Sequence, residues 1–127
     1  MSVRLGALRS SLRRADFLRA SRQGRRFATG YFLLYLFDRK DAGPARLGIT
    51  VTRKTGNAVR RNRIKRLVRE WFRETRKTTP SGDPALSGYD LVVIARRDLP
   101  DVLDLAMVRP DLDSGLAGCL DARSREP

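Results

Sequence analysis

The sequence predicts an α+β fold, a two-layer α/β sandwich in which one sheet of about four strands packs against helices. Residues 31–37 and 89–95 are apolar and aromatic runs typical of buried strands, and residues 46–52 alternate between apolar and polar side chains. A long amphipathic helical pattern over residues 57–77 lies between the alternating segment and the last apolar run. At 127 residues the chain can form one domain around one core.

The first predicted elements are a helix and two strands. Residues 12–23 form the helix, with Ser11 as its N-cap and Gly24 at its end. Residues 31–37 are too few for a typical helix and rich in aromatic side chains, which favours a buried strand. In the next strand, over residues 46–52, every second side chain is apolar, so we expect one face in the core and one polar face.

The long helix is predicted to begin after Gly56 and Asn57 and to end near Lys77. At 100° per residue its apolar side chains fall on one stripe: Ile64, Leu67, Val68, Trp71, Phe72 and Thr75. Its cations fall on the opposite side: Lys65, Arg66, Arg69, Arg73 and Arg76. A loop over residues 78–88 then leads to the last strand.

The end of the chain is predicted to be weakly ordered. Residues 101–109 favour a short helix that Pro110 would end. Its inward-facing side chains would be those of Val102, Leu105 and Ala106. The sequence beyond contains two glycines and a thin apolar pattern. We therefore expect one folded domain over residues 1–110 and an acidic, mobile tail over residues 111–127.

Charge is distributed unevenly along the chain. Residues 1–97 contain 24 lysines and arginines against 7 aspartates and glutamates, whereas residues 98–127 contain 3 against 7. The net charge of +13 favours a polyanionic partner, with nucleic acid the first candidate and an anionic membrane surface the second. Arginine far outnumbers lysine. Its planar group suits bidentate phosphate contacts, but a bias in genome base composition would give the same excess.

Composition disfavours several other classes of protein. No run of 18 apolar residues is present, so no membrane span is predicted, and the first residues are too weakly apolar for a signal peptide. Cys119 is the only cysteine, which excludes an intramolecular disulfide and a cysteine-rich metal site. We expect a reduced thiol in a cytoplasmic protein with no membrane partner.

The segment over residues 53–70 is the most informative about function, because eight of its eighteen residues are cationic. Arg61, Lys65, Arg69 and Arg73 repeat one sign at i, i+4 spacing, which destabilises an isolated helix. Phosphate groups of a partner would neutralise this repulsion, and the free amides at the start of the helix also favour an anion. The pattern predicts a nucleic-acid-binding helix.

The same segment contains a specific motif, Lys54-x-Gly56-Asn57-Ala58-Val59-x-Arg61-Asn62-Arg63-x-Lys65-Arg66-x-x-Arg69-Glu70. This motif resembles the signature of the protein component of bacterial ribonuclease P. A generic basic helix would not combine the Gly-Asn-Ala-Val lead-in with the Arg-Asn-Arg triplet. Further residues support the resemblance in order along residues 8–97: Asp16-Phe17, Gly24, Tyr35 and Val93-Ile94-Ala95-Arg96-Arg97.

The resemblance implies a domain related to a ribosomal protein, in which the long basic helix forms a left-handed β-α-β crossover, against the usual hand. It also implies a division of labour. An RNA subunit cleaves precursor tRNA to release the 5′ leader and uses divalent metal ions such as Mg²⁺, while the protein binds this RNA and the leader. We assign no cofactor to the protein itself, and we expect one protein per RNA.

Two sets of residues follow from the resemblance. The set expected to bind the RNA subunit is Asn57, Arg60, Arg61, Asn62, Arg63, Lys65, Arg66 and Arg69. The set expected to line a leader-binding cleft between the first helix and the sheet is Phe17, Tyr35, Thr50, Thr52, Arg53, Lys54 and Arg97. Aromatic faces hold single-stranded bases without sequence demands, which suits Phe17 and Tyr35 to stacking.

Plainer interpretations stay open for some of these residues. From the pattern alone, Phe17 and Tyr35 could equally belong to the core, Asn57 could be only an N-cap, and Gly56 could serve backbone geometry. The chain also departs from the family. Many members have a second aromatic residue one helical turn after Phe17, where this chain has Ala20-Ser21, and the usual basic final helix is replaced by an acidic segment.

The chain is not expected to be a nuclease by itself. It contains no histidine, and Glu70 and Glu74, spaced i, i+4 among arginines, are better explained by salt bridges than by metal binding. We assign no catalytic or metal-binding residue, so endonuclease activity would belong to the assembly with RNA. The alternative function is a ribosomal-type RNA-binding module without a processing role. A DNA-binding helix-turn-helix is disfavoured because no glycine turn joins two short helices.

Overall fold

The computed structural model describes residues 12–77, 86–97, 99–100 and 102–120. Within these ranges the elements are α1 (Arg14–Gln23), β1 (Arg25–Ala28), β2 (Phe32–Asp38), β3 (Arg46–Thr50), α2 (Ala58–Thr75), β4 (Tyr89–Ala95) and α3 (Leu105–Leu120). A single 3-10 turn, Arg53–Thr55, lies between β3 and α2. The predicted α+β class and the predicted strands at the positions of β2, β3 and β4 are confirmed.

The four strands form one sheet in the order β1-β2-β4-β3. The pairs β1/β2 and β2/β4 are antiparallel, whereas β3 and β4 are parallel and joined through α2. Strand β1 was missing from the strands identified by pattern. Its four residues include Arg25 and Arg26, and so short a segment carries no apolar run or alternation long enough to be recognised.

One face of the sheet carries the main core. Helices α2 and α3 pack on this face, where alternate residues of β2 and β4 meet the apolar stripe of α2. Ile64, Val68, Trp71 and Phe72 of α2 are buried, as the periodicity predicted. The helix ends at Thr75, close to the predicted end near Lys77.

The opposite face of the sheet is covered in part by α1. Leu12, Ala20 and Val92 form a small second core, against which Phe17 and Tyr35 also pack. The predicted end of this helix is confirmed, since the Gly24 N–H donates to the Ala20 carbonyl and the helix stops at Gln23. Its predicted start is two residues early. The helix begins at Arg14, after Arg13 as N-cap. The expected cap Ser11 lies outside the described residues.

The C-terminal helix differs most from the prediction. We expected Pro110 to end a helix over residues 101–109, but α3 continues through Pro110 to Leu120. Proline inside a helix costs about 3 kcal/mol. Burial on the other side of the helix offsets this cost, because Pro110 is exposed while Val108, Leu112, Leu116 and Cys119 lie in the main core.

The predicted orientation and boundary of this region are also corrected. Val102 and Ala106 are exposed and do not form the inward face, whereas Leu105 is half-buried and packs against the main core as predicted. Gly115, which we expected to interrupt the helix, permits close packing instead, since a Cβ there would lie 2.8 Å from Leu34 Cδ1. Residues 111–120 therefore belong to the folded domain rather than to a mobile tail, and residues 121–127 lie outside the described part of the chain.

Candidate nucleic-acid interface

The start of α2 is fixed by the two residues that precede it. Gly56 has φ +151°, a conformation that side chains rarely adopt, and a Cβ there would collide with the side chain of Arg60. The Asn57 side-chain oxygen accepts a hydrogen bond of 2.9 Å from the Arg60 N–H. The plainer interpretations of Gly56 as a geometric residue and of Asn57 as an N-cap are thus confirmed. A contact between Asn57 and RNA stays a prediction.

One side of α2, which we call the inner flank, faces α3 and comprises Arg60, Arg63, Trp71 and Glu74. Arg60 Nη2 donates to the carbonyls of Leu99 (3.0 Å) and Pro100 (2.7 Å). Its Nε donates to the Thr55 carbonyl at 2.9 Å. Two residues predicted to bind RNA, Arg60 and Arg63, therefore attach the segment before α3 to α2, since Arg63 also bonds the Leu103 carbonyl.

The remainder of the inner flank makes side-chain contacts with α3 itself. Trp71 Nε1 donates to the Asp113 carboxylate at 2.8 Å, and the indole is buried in the core. Glu74 and Arg109 form an exposed ion pair at 3.4 Å. Over most of its length, the inner flank therefore contacts α3 or the segment that precedes it.

The other side of α2, which we call the outer flank, carries the rest of the predicted set and one further arginine: Arg61, Asn62, Lys65, Arg66, Arg69 and Arg73. Asn62, Arg66 and Arg73 are exposed, and Arg61, Lys65 and Arg69 are half-buried. The side chains span the helix from its first turn to its last. This flank is cationic from Arg61 to Arg73, with Glu70 as an acidic side chain one helical turn after Arg66, and such a cluster of cations meets the electrostatic requirement for binding a phosphate backbone.

A groove of about 410 Å³ lies between α1 and the sheet, lined by Arg14, Phe17, Leu18 and Thr50. The Phe17 ring reaches the strand because residue 48 is glycine: a Cβ there would lie 2.6 Å from Phe17 Cζ. Phe17 is half-buried, so one part of the ring packs in the second core while the rest can face the groove. The alternatives of core residue and stacking residue are compatible for this side chain.

Tyr35 occupies a similar position on β2. It packs against the second core and is half-buried. In the sheet it pairs with Val92 of β4, and Ile94, the next residue on that face, pairs with Thr50 of β3. The side chains of Tyr35 on β2 and Thr50 on β3 therefore lie on the face of the sheet that Phe17 of α1 contacts.

The other predicted leader-binding residues lie beyond the strand ends. Thr52, Arg53 and Lys54 are exposed in the turn between β3 and α2, where the Thr52 carbonyl accepts from the Thr55 N–H at 3.0 Å. Arg97 is exposed two residues after the end of β4. The turn connects the groove side of β3 to α2, so the two predicted surfaces are continuous along the chain.

A cluster of ion pairs holds α1 onto the sheet at the end remote from Thr50. Arg46 donates to both oxygens of the fully buried Asp90 (2.7 and 2.9 Å) and lies 3.4 Å from Asp16 of α1. The hydrogen bond from the Arg13 N–H lowers the pKa of Asp16, with Arg46 and Arg19 adding to the effect. Asp16 is adjacent to Phe17, so this cluster also positions the Phe17 ring.

Arg14 and Leu18 also line the groove, and both are absent from the predicted leader-binding set. Leu18 is unusually exposed for its size, at 39%. A helical wheel could have found both, because Phe17 and Leu18 lie three and four residues after Arg14, on one face of the helix. None of the helices in the described part of the chain is long and apolar enough to cross a membrane. The described residues also contain no group of three or more potential metal-ligating Cys, Asp or Glu side chains.

Comparison with known proteins gives consistent matches. The family model described as Ribonuclease P matches residues 9–117. The ribonuclease P protein component of Desulforapulum autotrophicum is 46% identical over 87 residues, covering 68% of each chain. The solved RNase P protein of Staphylococcus aureus superposes with a TM-score of 0.70 at 33% identity, covering 84% of this chain and 90% of that one. The Thermotoga maritima RNase P protein gives 0.67 at 37% identity, covering 81% and 91%.

Proposed function

The chain belongs to the ribonuclease P protein family and is a subunit of that endoribonuclease, and from this premise we propose that its two surfaces bind two different RNAs. The outer flank of α2 binds the RNase P RNA. The groove between α1 and the sheet binds the 5′ leader of precursor tRNA. The RNA subunit performs the cleavage, and the protein raises the affinity for substrate.

Binding of the RNA subunit is assigned to the outer flank because its charge is arranged for a phosphate backbone. Its arginines and lysine cover one side of an 18-residue helix, and their mutual repulsion is relieved when phosphates lie between them. Arg60 and Arg63 support this surface indirectly, since they fix the segment before α3. Thr52, Arg53 and Lys54 extend the surface towards the groove.

The observation that carries the leader assignment is the groove itself. Phe17 and Thr50 line it, and Tyr35 lies on the same sheet face. Half-buried aromatic rings fixed in a core offer rigid faces for stacking, worth about 1–3 kcal/mol per base. A single-stranded leader can unstack to meet such rings, whereas the paired acceptor stem of mature tRNA cannot.

The remaining features of the proposal concern the assembly. We expect one protein per RNA subunit, Mg²⁺ bound mainly by RNA, and a cytoplasmic location, where precursor tRNA is made in bacteria. In this arrangement the protein contributes no catalytic residue. Arg97, exposed after β4, is placed with the leader set as a phosphate contact.

Reconstitution tests the overall function. The purified protein is mixed with a bacterial RNase P RNA and precursor tRNA at low magnesium. We expect 5′ cleavage that neither the protein nor the RNA gives alone under those conditions. Cleavage by the protein without RNA, or no gain in cleavage on adding the protein, would contradict the proposal.

The leader assignment is tested with Tyr35→Ala. We expect at least roughly fivefold weaker binding of leader-bearing precursor, with binding of mature tRNA unchanged, because one stacked base is lost. Tyr35→Phe keeps the ring and its packing and should bind as the parent does. Equal losses for precursor and mature tRNA would refute a leader-specific role.

A further inference from the structure

Part of the sheet face beneath α1 is left open. Helix α1 crosses the end of this face that contains Arg46, Asp90 and Phe37. At the other end, the cross-strand row formed by Ala28, Leu33, Ile94 and Thr50 runs across all four strands. Ala28 is exposed and the other three are half-buried. This row, which we call the open row, is a floor of apolar and small side chains.

Each end of this floor is flanked by an exposed arginine. At the β3 end, Arg14 lines the groove together with Thr50. At the β1 end, Arg26 pairs across the strands with Tyr35, and directly opposed side chains in an antiparallel pair lie about 5 Å apart at Cβ. Within the described part of the chain, neither guanidinium forms a hydrogen bond or an ion pair.

Both arginines are exposed for reasons of position. Arg14 is in the first turn of α1, and Arg26 is on an edge strand whose groove-side residues, Arg26 and Ala28, are uncovered. The residues that alternate with them, Arg25 and Phe27, are half-buried on the side of α3, where Arg25 Nη1 donates to the Cys119 carbonyl at 3.3 Å. Strand β1 therefore places Arg26 on the same side of the sheet as Tyr35, while Arg25 and Phe27 on its other face contact α3.

We propose that the leader site spans all four strands, from Arg14 of α1, which lies beside Thr50 of β3, to Arg26 of β1. These two guanidinium groups bind leader phosphates. The inference rests on the proposed function of the groove and extends it to β1. Three gaps between neighbouring strands give a track of about 14 Å. A stacked strand advances about 3.4 Å per nucleotide and an unstacked strand advances further, so such a track accommodates at most about four nucleotides.

The chemistry of the track suits a single strand of any sequence. Tyr35 and Phe17 provide ring faces, the open row provides an apolar floor for bases, and guanidinium groups bind phosphate through paired N–H donors. The track also has a direction. The turn Arg53–Thr55 connects β3 to α2, to which we assign the RNA subunit that cleaves the precursor. Nucleotides next to the cleavage site therefore lie at the Arg14 end, and distal nucleotides reach Arg26.

Leader length therefore distinguishes the two arginines. The experiment uses the reconstituted holoenzyme and measures binding of precursors with leaders of about two and about eight nucleotides, under conditions that prevent cleavage. We expect Arg26→Gln to weaken binding of the long-leader precursor roughly 3- to 10-fold and to leave the short-leader precursor unchanged. Arg14→Gln should weaken both. Arg109→Gln removes the same charge on the opposite face of the sheet and should weaken neither.

Two outcomes are separable from failure of the proposed function. If Tyr35→Ala discriminates leader-bearing from mature tRNA while Arg26→Gln has no effect on the long leader, the site ends at β2 and the extension is wrong. An equal effect of Arg26→Gln on short and long leaders would also overturn it. If Tyr35→Ala shows no leader dependence either, the groove does not bind the leader at all. Unchanged melting temperatures of the arginine variants establish that the fold is intact.

Discussion

On the inner flank of α2, guanidinium groups bond main-chain carbonyls, whereas on the outer flank the same residue type faces outward as a cationic surface. Arg60 and Arg61 are neighbours in the sequence and belong to opposite flanks. A single arginine-rich motif therefore contains two populations. One holds the segment before α3 in place, and the other forms the outer flank, which we propose binds RNA. The comparison teaches that the residues of a binding motif have to be divided by their tertiary contacts before they are assigned to an interface.

The largest expected effect on stability comes from a substitution in the buried part of the inner flank, and no substitution on the outer flank should match it. Trp71→Ala removes a large buried side chain and its bond to Asp113. We expect the free energy of unfolding to fall by about 3–5 kcal/mol. Denaturant titration measures it. Asp113→Ala, which removes only the hydrogen bond, should cost about 1 kcal/mol, and equal losses for the two variants would contradict a packing role for the indole.

A matched pair of neighbouring arginines tests the division directly. Arg60→Ala leaves carbonyls of Thr55, Leu99 and Pro100 without their charged donor, so we expect a loss of about 1–3 kcal/mol in the free energy of unfolding. Arg61→Ala should stay within about 0.5 kcal/mol of the parent. Equal stability of the two variants in urea would mean that the flanks do not differ.

The outer flank is tested by salt dependence. We expect Lys65→Ala and Arg66→Ala each to weaken binding of the RNase P RNA and to reduce the slope of log K against log salt by about 1, because each removes one phosphate contact. Their unfolding free energies should not change beyond about 0.5 kcal/mol. Arg109→Ala serves as the control of equal charge. A salt slope that is the same in all three variants and the parent would exclude phosphate contacts at these positions.

The smallest effect is expected at the exposed end of the inner flank. Glu74 and Arg109 are both about half-exposed and 3.4 Å apart. Exposed pairs of this kind contribute about 0–1 kcal/mol. Glu74→Gln should therefore shift the urea midpoint only slightly, and less at high salt than at low salt. A loss as large as that expected for Arg60→Ala would show that this contact is as important to α3 as the carbonyl bonds.

The sequence was most informative where a periodic pattern was long. The apolar positions of α2 repeat from Ile64 to Thr75, over about three turns, so its buried face, and thereby the cationic outer flank, could be predicted. Strand β1 has four residues and could not be recognised. The predicted end of α3 at Pro110 was wrong. Local propensity contains no information on tertiary packing, in which the proline faces solvent while Leu112 and Leu116 pack in the main core.

In the candidate site, too, the residues could be predicted from the sequence but their tertiary contacts could not. Phe17 and Tyr35 could be named through the family motif, but the space that brings Phe17 to the strand comes from Gly48, which lies 31 residues away in the chain. The intramolecular bonds of Arg60 depend on where residues 99–100 return to α2. The spacing of residues within the motif gives no information on where residues 99–100 lie relative to Arg60.

Arg25 of β1 bonds the last carbonyls of α3, and this contact has a consequence for how the chain assembles. Arg25 and Cys119 are 94 positions apart, so α3 docks here only when a loop of that length closes. Until then, Leu34 and Leu116 lack the surface that covers each of them. Closing such a distant contact is slow compared with local pairing. We expect docking of α3 to be a late step of folding.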